Sequence, residues 1–248
     1  MSWYSAKFVL LALLLGVFSL SDGKPRLQER QSAGNQRTLT FKAAPGQPAY
    51  SIHIFTRESQ GIVKITDGSG SLVQLLTCPL DQSETEAVSE QFVARFAAED
   101  LDLDGYLDLR GTRSFGAKWE RACVWLFDPQ AHNFYQDTLS EQMEHLSNLT
   151  VDQKRHRIVS YSIGPTNPLW DEYRIERAGK DRPYWPRLIP LESCFIDTGG
   201  ASVETVPRDK FTMVVTRYEK ERPIAERHPI TAEDKPGPDA PCGSFNHR

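Results

Sequence analysis

Apolar and polar residues alternate with a period of two along most of the chain, which is the spacing of half-buried strands. In "GIVKITDGSGSLVQLLT" (61–77), Val63 and Ile65 sit between polar neighbours, Asp67 to Gly70 interrupt the pattern, and Val73 and Leu75 resume it. An Asp-Gly-Ser-Gly break between two such runs is turn chemistry, so the segment predicts a hairpin. "RACVWLFDPQAHNFYQD" (121–137) repeats the plan, with β-formers Val124 to Phe127, a turn at Asp128-Pro129-Gln130 and a return through Phe134 and Tyr135. Pro129 presets φ and has no N–H to donate, so it ends the first strand. "NLTVDQKRHRIVSYSI" (148–163) reads strand, polar turn over Asp152 to Arg155, strand. "WDEYRIERAGKDRPYW" (170–185) reads strand, a Gly179-Lys180 turn, then a weaker strand interrupted by Pro183 and Pro186, and "KFTMVVTRYEK" (210–220) is the last clear strand. Helical propensity is confined to two short stretches, Thr85 to Arg95 and Leu139 to Leu146. The expectation is an all-β chain of antiparallel hairpins in a β-propeller-like or sandwich arrangement.

The two ends break this pattern. Lys7 is followed by an apolar run from Phe8 to Leu20 and then by Ser21-Asp22-Gly23. A positive charge, a short apolar core and small residues read as a signal peptide over 1–21, cleaved near Ser21, and hence as export. A largely apolar run of 13 residues falls short of the roughly 20 that a helix needs to cross a bilayer, and no later segment is apolar enough for a membrane span. The expected organisation is then a flexible segment at 22–38, a β domain at 39–220 and a Pro- and charge-rich tail at 221–248. Loss of Lys7 leaves 28 Lys and Arg against 33 Asp and Glu, a net −5. That mildly acidic balance, without a basic stripe, argues against nucleic acid. Cys78, Cys123, Cys194 and Cys242 form an even set without a Cys-x-x-Cys, so an exported chain is expected to pair them as disulfides, in one of three ways.

The chemistry concentrates in "EDLDLDGYLDLRG" (99–111), with carboxylates at Asp100, Asp102, Asp104 and Asp108. Left alone they repel one another, and an extended strand would not bring them to one point. Gly105 permits the positive-φ bend that folds the first three around a centre. The predicted ligand set is the side chains of Asp100, Asp102, Asp104 and Asp108 with a backbone carbonyl near Tyr106. Oxygen-only donors in this number suit Ca²⁺ rather than zinc or copper. A helix–loop–helix calcium hand would need Glu at position twelve, which here is Gly111.

The segment from Glu99 to Asp137 resembles the calcium-loop repeat of FG-GAP and integrin-type β-propellers: acidic loop, strand, protruding segment, aromatic strand ending in Asp-Pro, return strand. With "LSNLTVDQKRHRIVSYS" and "DEYRIERAGK" following in order, it is similar to exported bacterial proteins that carry one such loop. Those resemble periplasmic inhibitors of invertebrate-type lysozyme and immunity proteins against lysozyme-like toxins. The likeness covers Gly61 to about Lys180. It implies a periplasmic location, one structural calcium and a lysozyme-like glycoside hydrolase as partner. The chain departs from the pattern in having Asp102 where Asn is common, and in its longer C-terminal part.

The segment "GTRSFGAKWERA" (111–122) follows the acidic loop and carries aromatic residues among basic ones, the composition of a binding hot spot. The expected partner contacts are Thr112, Arg113, Ser114, Lys118 and Trp119, with Trp170 in "GPTNPLWDE" (164–172) as a competing anchor. No nucleophile elbow, phosphate loop or His-Cys metal spacing is present, so the chain reads as a binding protein and not an enzyme. The alternative expectation is a calcium-stabilised envelope or adhesion module that recognises glycan or protein without inhibiting an enzyme.

Overall fold

A computed structural model describes residues 28–30, 36–81, 85–163, 168–177, 186–197, 212–219 and 222–229. Three antiparallel meanders follow one another along the chain. The first comprises β1 (Gln28–Arg30), β2 (Gln36–Phe41), β3 (Tyr50–Arg57), β4 (Gln60–Thr66) and β5 (Leu72–Pro79). After α1 (Thr85–Ala94) comes the second, of β6 (Ala97–Glu99), β7 (Asp108–Gly116), β8 (Trp119–Asp128) and β9 (Asn133–Tyr135). After α2 (Thr138–Glu144) comes the third, of β10 (Thr150–Asp152), β11 (Arg157–Ile163), β12 (Pro168–Glu176), β13 (Arg187–Asp197), β14 (Thr212–Glu219) and β15 (Arg222–Pro229). The chain is mainly β with antiparallel sheets, and both short helices form where propensity places them.

Strand β8 shows how the layers stack. Cys123, Trp125 and Phe127 join Leu39, Ile52, Ile54, Val63 and Ile65 of the first meander and Val88 and Phe92 of α1 in one core. The intervening Val124 and Leu126 join Leu139 and Met143 of α2 with Ile158, Tyr173 and Leu188 of the third meander in another. The period of two sends alternate residues to opposite faces, so the second meander is a middle layer buried on both sides. That is why Ala122 to Phe127 read as an unbroken apolar run.

Details differ from the sequence expectation for physical reasons. The Val73 and Leu75 strand forms, but Ile65 pairs with Gln74 and Thr66 with Leu72, so a bulge changes its phase. Leu76 and Cys78 therefore point inward while Val73 and Leu75 remain 41% and 55% exposed. β1 lies inside the stretch expected to be flexible, paired through Glu29 and Leu39. β15 lies inside the expected tail, with all eight residues paired to β14 and Arg222 to Arg227 exposed. It is an edge strand held by its backbone, with prolines near both ends, so it carries no apolar alternation to read. The signal-peptide stretch and most of the tail lie outside the described residues. No described helix is long and apolar enough to cross a membrane.

Of the possible pairings the structure contains Cys78–Cys123, which ties β5 to β8 across 45 residues of sequence. Closing a loop of that length stabilises the fold by roughly 4 kcal/mol in the chain-entropy account. A disulfide is compatible with export.

Candidate metal centre

The acidic loop joins β6 to β7 at the seam between the middle and third meanders. Gly105 adopts φ +91° as the bend requires, and Leu103 is also left-handed at φ +62°. Asp100, Asp102 and Asp108 each bring a carboxylate oxygen to within 4.8 Å of the others. Asp102 is 5% exposed and Asp108 1%. Asp104 stays outside this group. It is exposed, its Oδ1 accepts from the Tyr106 amide (2.9 Å), and its own amide donates to Asp100 Oδ1 (3.0 Å) and Asp102 Oδ1 (3.2 Å). Tyr106 packs against Phe127 at 6.0 Å between ring centres. Of the five expected ligand residues, the structure brings the carboxylates of three together.

Asp108, the first residue of β7, is the anchor. Its Oδ2 accepts from the amides of Leu101 (2.8 Å) and Asp102 (3.3 Å), and its Oδ1 from that of Phe127 on β8 (2.9 Å). One carboxylate thus links the start of the loop to both strands of the β7–β8 hairpin. Burial pushes Asp108 up to about 8, with the Asp102 charge adding to the shift. Burial also raises Asp102 to about 6; the Asp104 charge reinforces the shift and Arg177 opposes it. Asp100 is raised too, chiefly by burial. Desolvation and mutual repulsion thus disfavour the charged forms, and a nearby cation reverses that balance.

Arg177, at the end of β12, donates to both the backbone oxygen and Oδ2 of Asp102, the latter at 3.3 Å. Gln153, in the β10–β11 turn, donates to the backbone oxygen of Asp100 at 3.0 Å. These contacts fasten the loop to the third meander, and nothing in "RIERAG" or "VDQK" flags them at the sequence level. A half-exposed guanidinium is one positive charge against three carboxylates. The all-oxygen donor set fits a hard divalent cation and lacks the nitrogen and sulfur donors that favour zinc.

The segment expected to be a protruding connection is the outer half of the β7–β8 hairpin, turning at Ala117-Lys118. Trp119 is 39% exposed at its tip. A Cβ on Gly116 would lie 2.2 Å from the Trp119 Nε1, so the indole rests on bare backbone. The Arg121 guanidinium stands 6.0 Å from the indole centre. Lys118 is exposed, and Arg113 pairs with Glu144 at 3.3 Å. Thr112 and Ser114 are buried, and the Thr112 hydroxyl donates to Glu120 Oε1 at 2.8 Å. Trp170 is 4% exposed, packed with Cys194, Met213 and Val215 in the third meander. Of the six expected contacts, only Lys118, Trp119 and, in part, Arg113 present surface at the tip. Asn148 donates its side-chain amide to Lys118 O (3.0 Å) and Tyr161 O (2.8 Å), bracing this hairpin against β11.

The chain matches no protein-family model, no curated protein and no solved structure.

Proposed function

We propose that this chain is an exported, periplasmic, calcium-braced binding protein whose β7–β8 hairpin engages and inhibits a lysozyme-like peptidoglycan hydrolase. The observation that carries the reading is the convergence of Asp100, Asp102 and Asp108 at the base of that hairpin. Calcium would be held by those carboxylates and would supply the positive charge that their burial demands. Asp108 relays this to the hairpin, because the same carboxylate accepts from Phe127 of β8 and begins β7. A braced base supports a rigid tip, and pre-organised surfaces lose less entropy on binding.

The tip offers what such a target would read. Glycan-cleaving enzymes of this class place two carboxyl groups about the scissile bond. The Arg121 guanidinium stands 6.0 Å from the centre of an exposed indole, next to exposed Lys118 in sequence, and charge-assisted bonds in a desolvated cleft are strong. A net acidic body steers toward a basic enzyme.

The test is a peptidoglycan-clearing assay with the mature protein and a panel of lysozymes, with and without a calcium chelator. The expected result is inhibition of at least one invertebrate-type enzyme that chelation weakens and Trp119→Ala reduces by about tenfold. No inhibition of any enzyme in the panel removes the hydrolase as partner. Calorimetric titration of the chelated protein with calcium tests the metal separately.

A further inference from the structure

The third meander is a sheet with two apolar faces. One, carrying Ile158, Tyr173 and Leu188, packs on β8 and α2. The other carries Tyr161 of β11, Trp170 of β12, Cys194 and Ile196 of β13, and Met213 and Val215 of β14. Register places Tyr161, Trp170, Cys194 and Val215 in one row across four strands, with Ile196 and Met213 paired beside it. Among the described residues, this second cluster draws its members from the third meander alone. An outer sheet face with no layer on it would be wet. Yet Trp170, Cys194, Ile196, Met213 and Val215 are between 0% and 6% exposed. The Trp170 indole N–H is buried with them and has no acceptor. A donor that is neither bonded nor solvated is rare, and here it marks a face closed against water.

The cysteines point to what closes it. Cys78 and Cys123 pair with each other, and Cys194 is in a disulfide too. The chain has four cysteines, so the one left for Cys194 within it is Cys242. Reach is no obstacle. β15 runs to Pro229, with its His228 opposite Met213 and Met213 opposite Ile196. Cys242 lies 13 positions beyond Pro229. Two strand spacings of about 5 Å separate β15 from β13, well inside the roughly 40 Å that such a length of chain can span. The segment also has the chemistry of a cover. Ala240, Pro241 and Phe245 are apolar, and Pro236, Pro238 and Pro241 have no N–H to strand against an apolar surface.

We propose that the C-terminal segment 230–248 docks on the face around Trp170 and Met213 as the outer layer of the third meander, clamped there by a Cys194–Cys242 disulfide. The occupant is this chain's own C-terminal segment, and the inference is independent of the calcium and hydrolase readings. Such a clamp ties the cover to an oxidising compartment, because reduction releases the segment and bares an apolar face.

The first experiment maps the bridge. Mature protein recovered from an oxidising compartment is alkylated, digested with trypsin without reductant and weighed by mass spectrometry. The expected product joins peptide 188–208 to peptide 228–248, since the Lys235–Pro236 bond resists trypsin. A Cys194 peptide that is alkylated, or joined to its own copy from a second chain, overturns the proposal. The second experiment asks whether the clamped segment is the cover. Peroxide converts an accessible methionine to its sulfoxide. Met213 lies on the face in question, while Met143 is buried in the core on the other side of the sheet. In full-length Cys242→Ala, Met213 is expected to oxidise several-fold faster than in the intact protein, with Met143 unchanged. Equal rates at Met213 in the two proteins would mean that the face is closed by some other part of the chain. Faster oxidation of both methionines would make the bridge a brace of the whole fold. Either result overturns the proposal.

Discussion

The two ends of the β7–β8 hairpin are built from opposite chemistry. At the base, around Asp108 and Phe127, the three carboxylates are buried or half-buried, and among the described residues one guanidinium, that of Arg177, pairs with them. At the tip, around Gly116 and Trp119, the Arg121 guanidinium stands beside an exposed indole, and Glu120 and Glu144 are paired with Arg95 and Arg113. The same two strands connect them. Burial makes the base costly without a cation and leaves the tip, which is solvated, indifferent to one. Under the proposed reading, one end takes up charge to hold a shape and the other presents that shape.

That contrast can be broken at the base with Asp108→Ala. The substitution leaves the amides of Leu101, Asp102 and Phe127 without their acceptor, and each buried donor so orphaned costs about 1–3 kcal/mol. The expected loss is ~4 kcal/mol, seen as a melting temperature lower by about 10 °C in calcium buffer. A fall of only a degree or two would mean that the carboxylate does not hold the hairpin.

A smaller effect separates the metal-free and calcium-loaded forms by pH. Asp102 and Asp108 have folded-state values raised to about 6 and about 8, above those of an unfolded chain. Such groups give stability that is fully present below the unfolded carboxylate range near 4 and is lost as pH rises through the raised values. Chelated protein is therefore expected to melt at a lower temperature at pH 8 than at pH 5, and saturating calcium to flatten or reverse that slope. Parallel thermal melts at the two pH values check it. A chelated protein with equal melting temperatures would show that the carboxylates carry no electrostatic debt.

The smallest stability change is expected at the tip. Gly116→Ala pushes the indole off the backbone, because the added Cβ overlaps Nε1, yet the ring is already part-solvated. The melting temperature should move by about 2 °C or less, the range of an ordinary surface substitution. The Trp119 indole resonance should shift and hydrolase inhibition should weaken. Equal stability losses for Gly116→Ala and Asp108→Ala would erase the distinction between the two ends.

Much of this architecture is legible from residue pattern alone, and the failures have identifiable causes. The hairpins at Gly61–Thr77, Arg121–Asp137 and Asn148–Ile163 follow from period-two alternation and turn residues, and the acidic loop follows from spacing and Gly105. Edge strands β1 and β15 stay hidden, because backbone pairing leaves little trace in side-chain character. The roles of Arg177 and Gln153 are invisible for another reason. They arrive from segments remote in sequence, and no local rule connects position 177 with position 102. Thr112, Ser114 and Trp170 look like surface residues by composition, but burial is decided by the packing of layers. Asp104 belongs to the motif by spacing, whereas its carboxylate turns to its own backbone.

The Cys78–Cys123 bridge encloses α1 and every residue of the acidic loop within one covalent ring. A protease that cuts anywhere in that interval linearises the ring without releasing a fragment. A nicked molecule would keep its full mass on a non-reducing gel and part into two pieces only when a thiol is added.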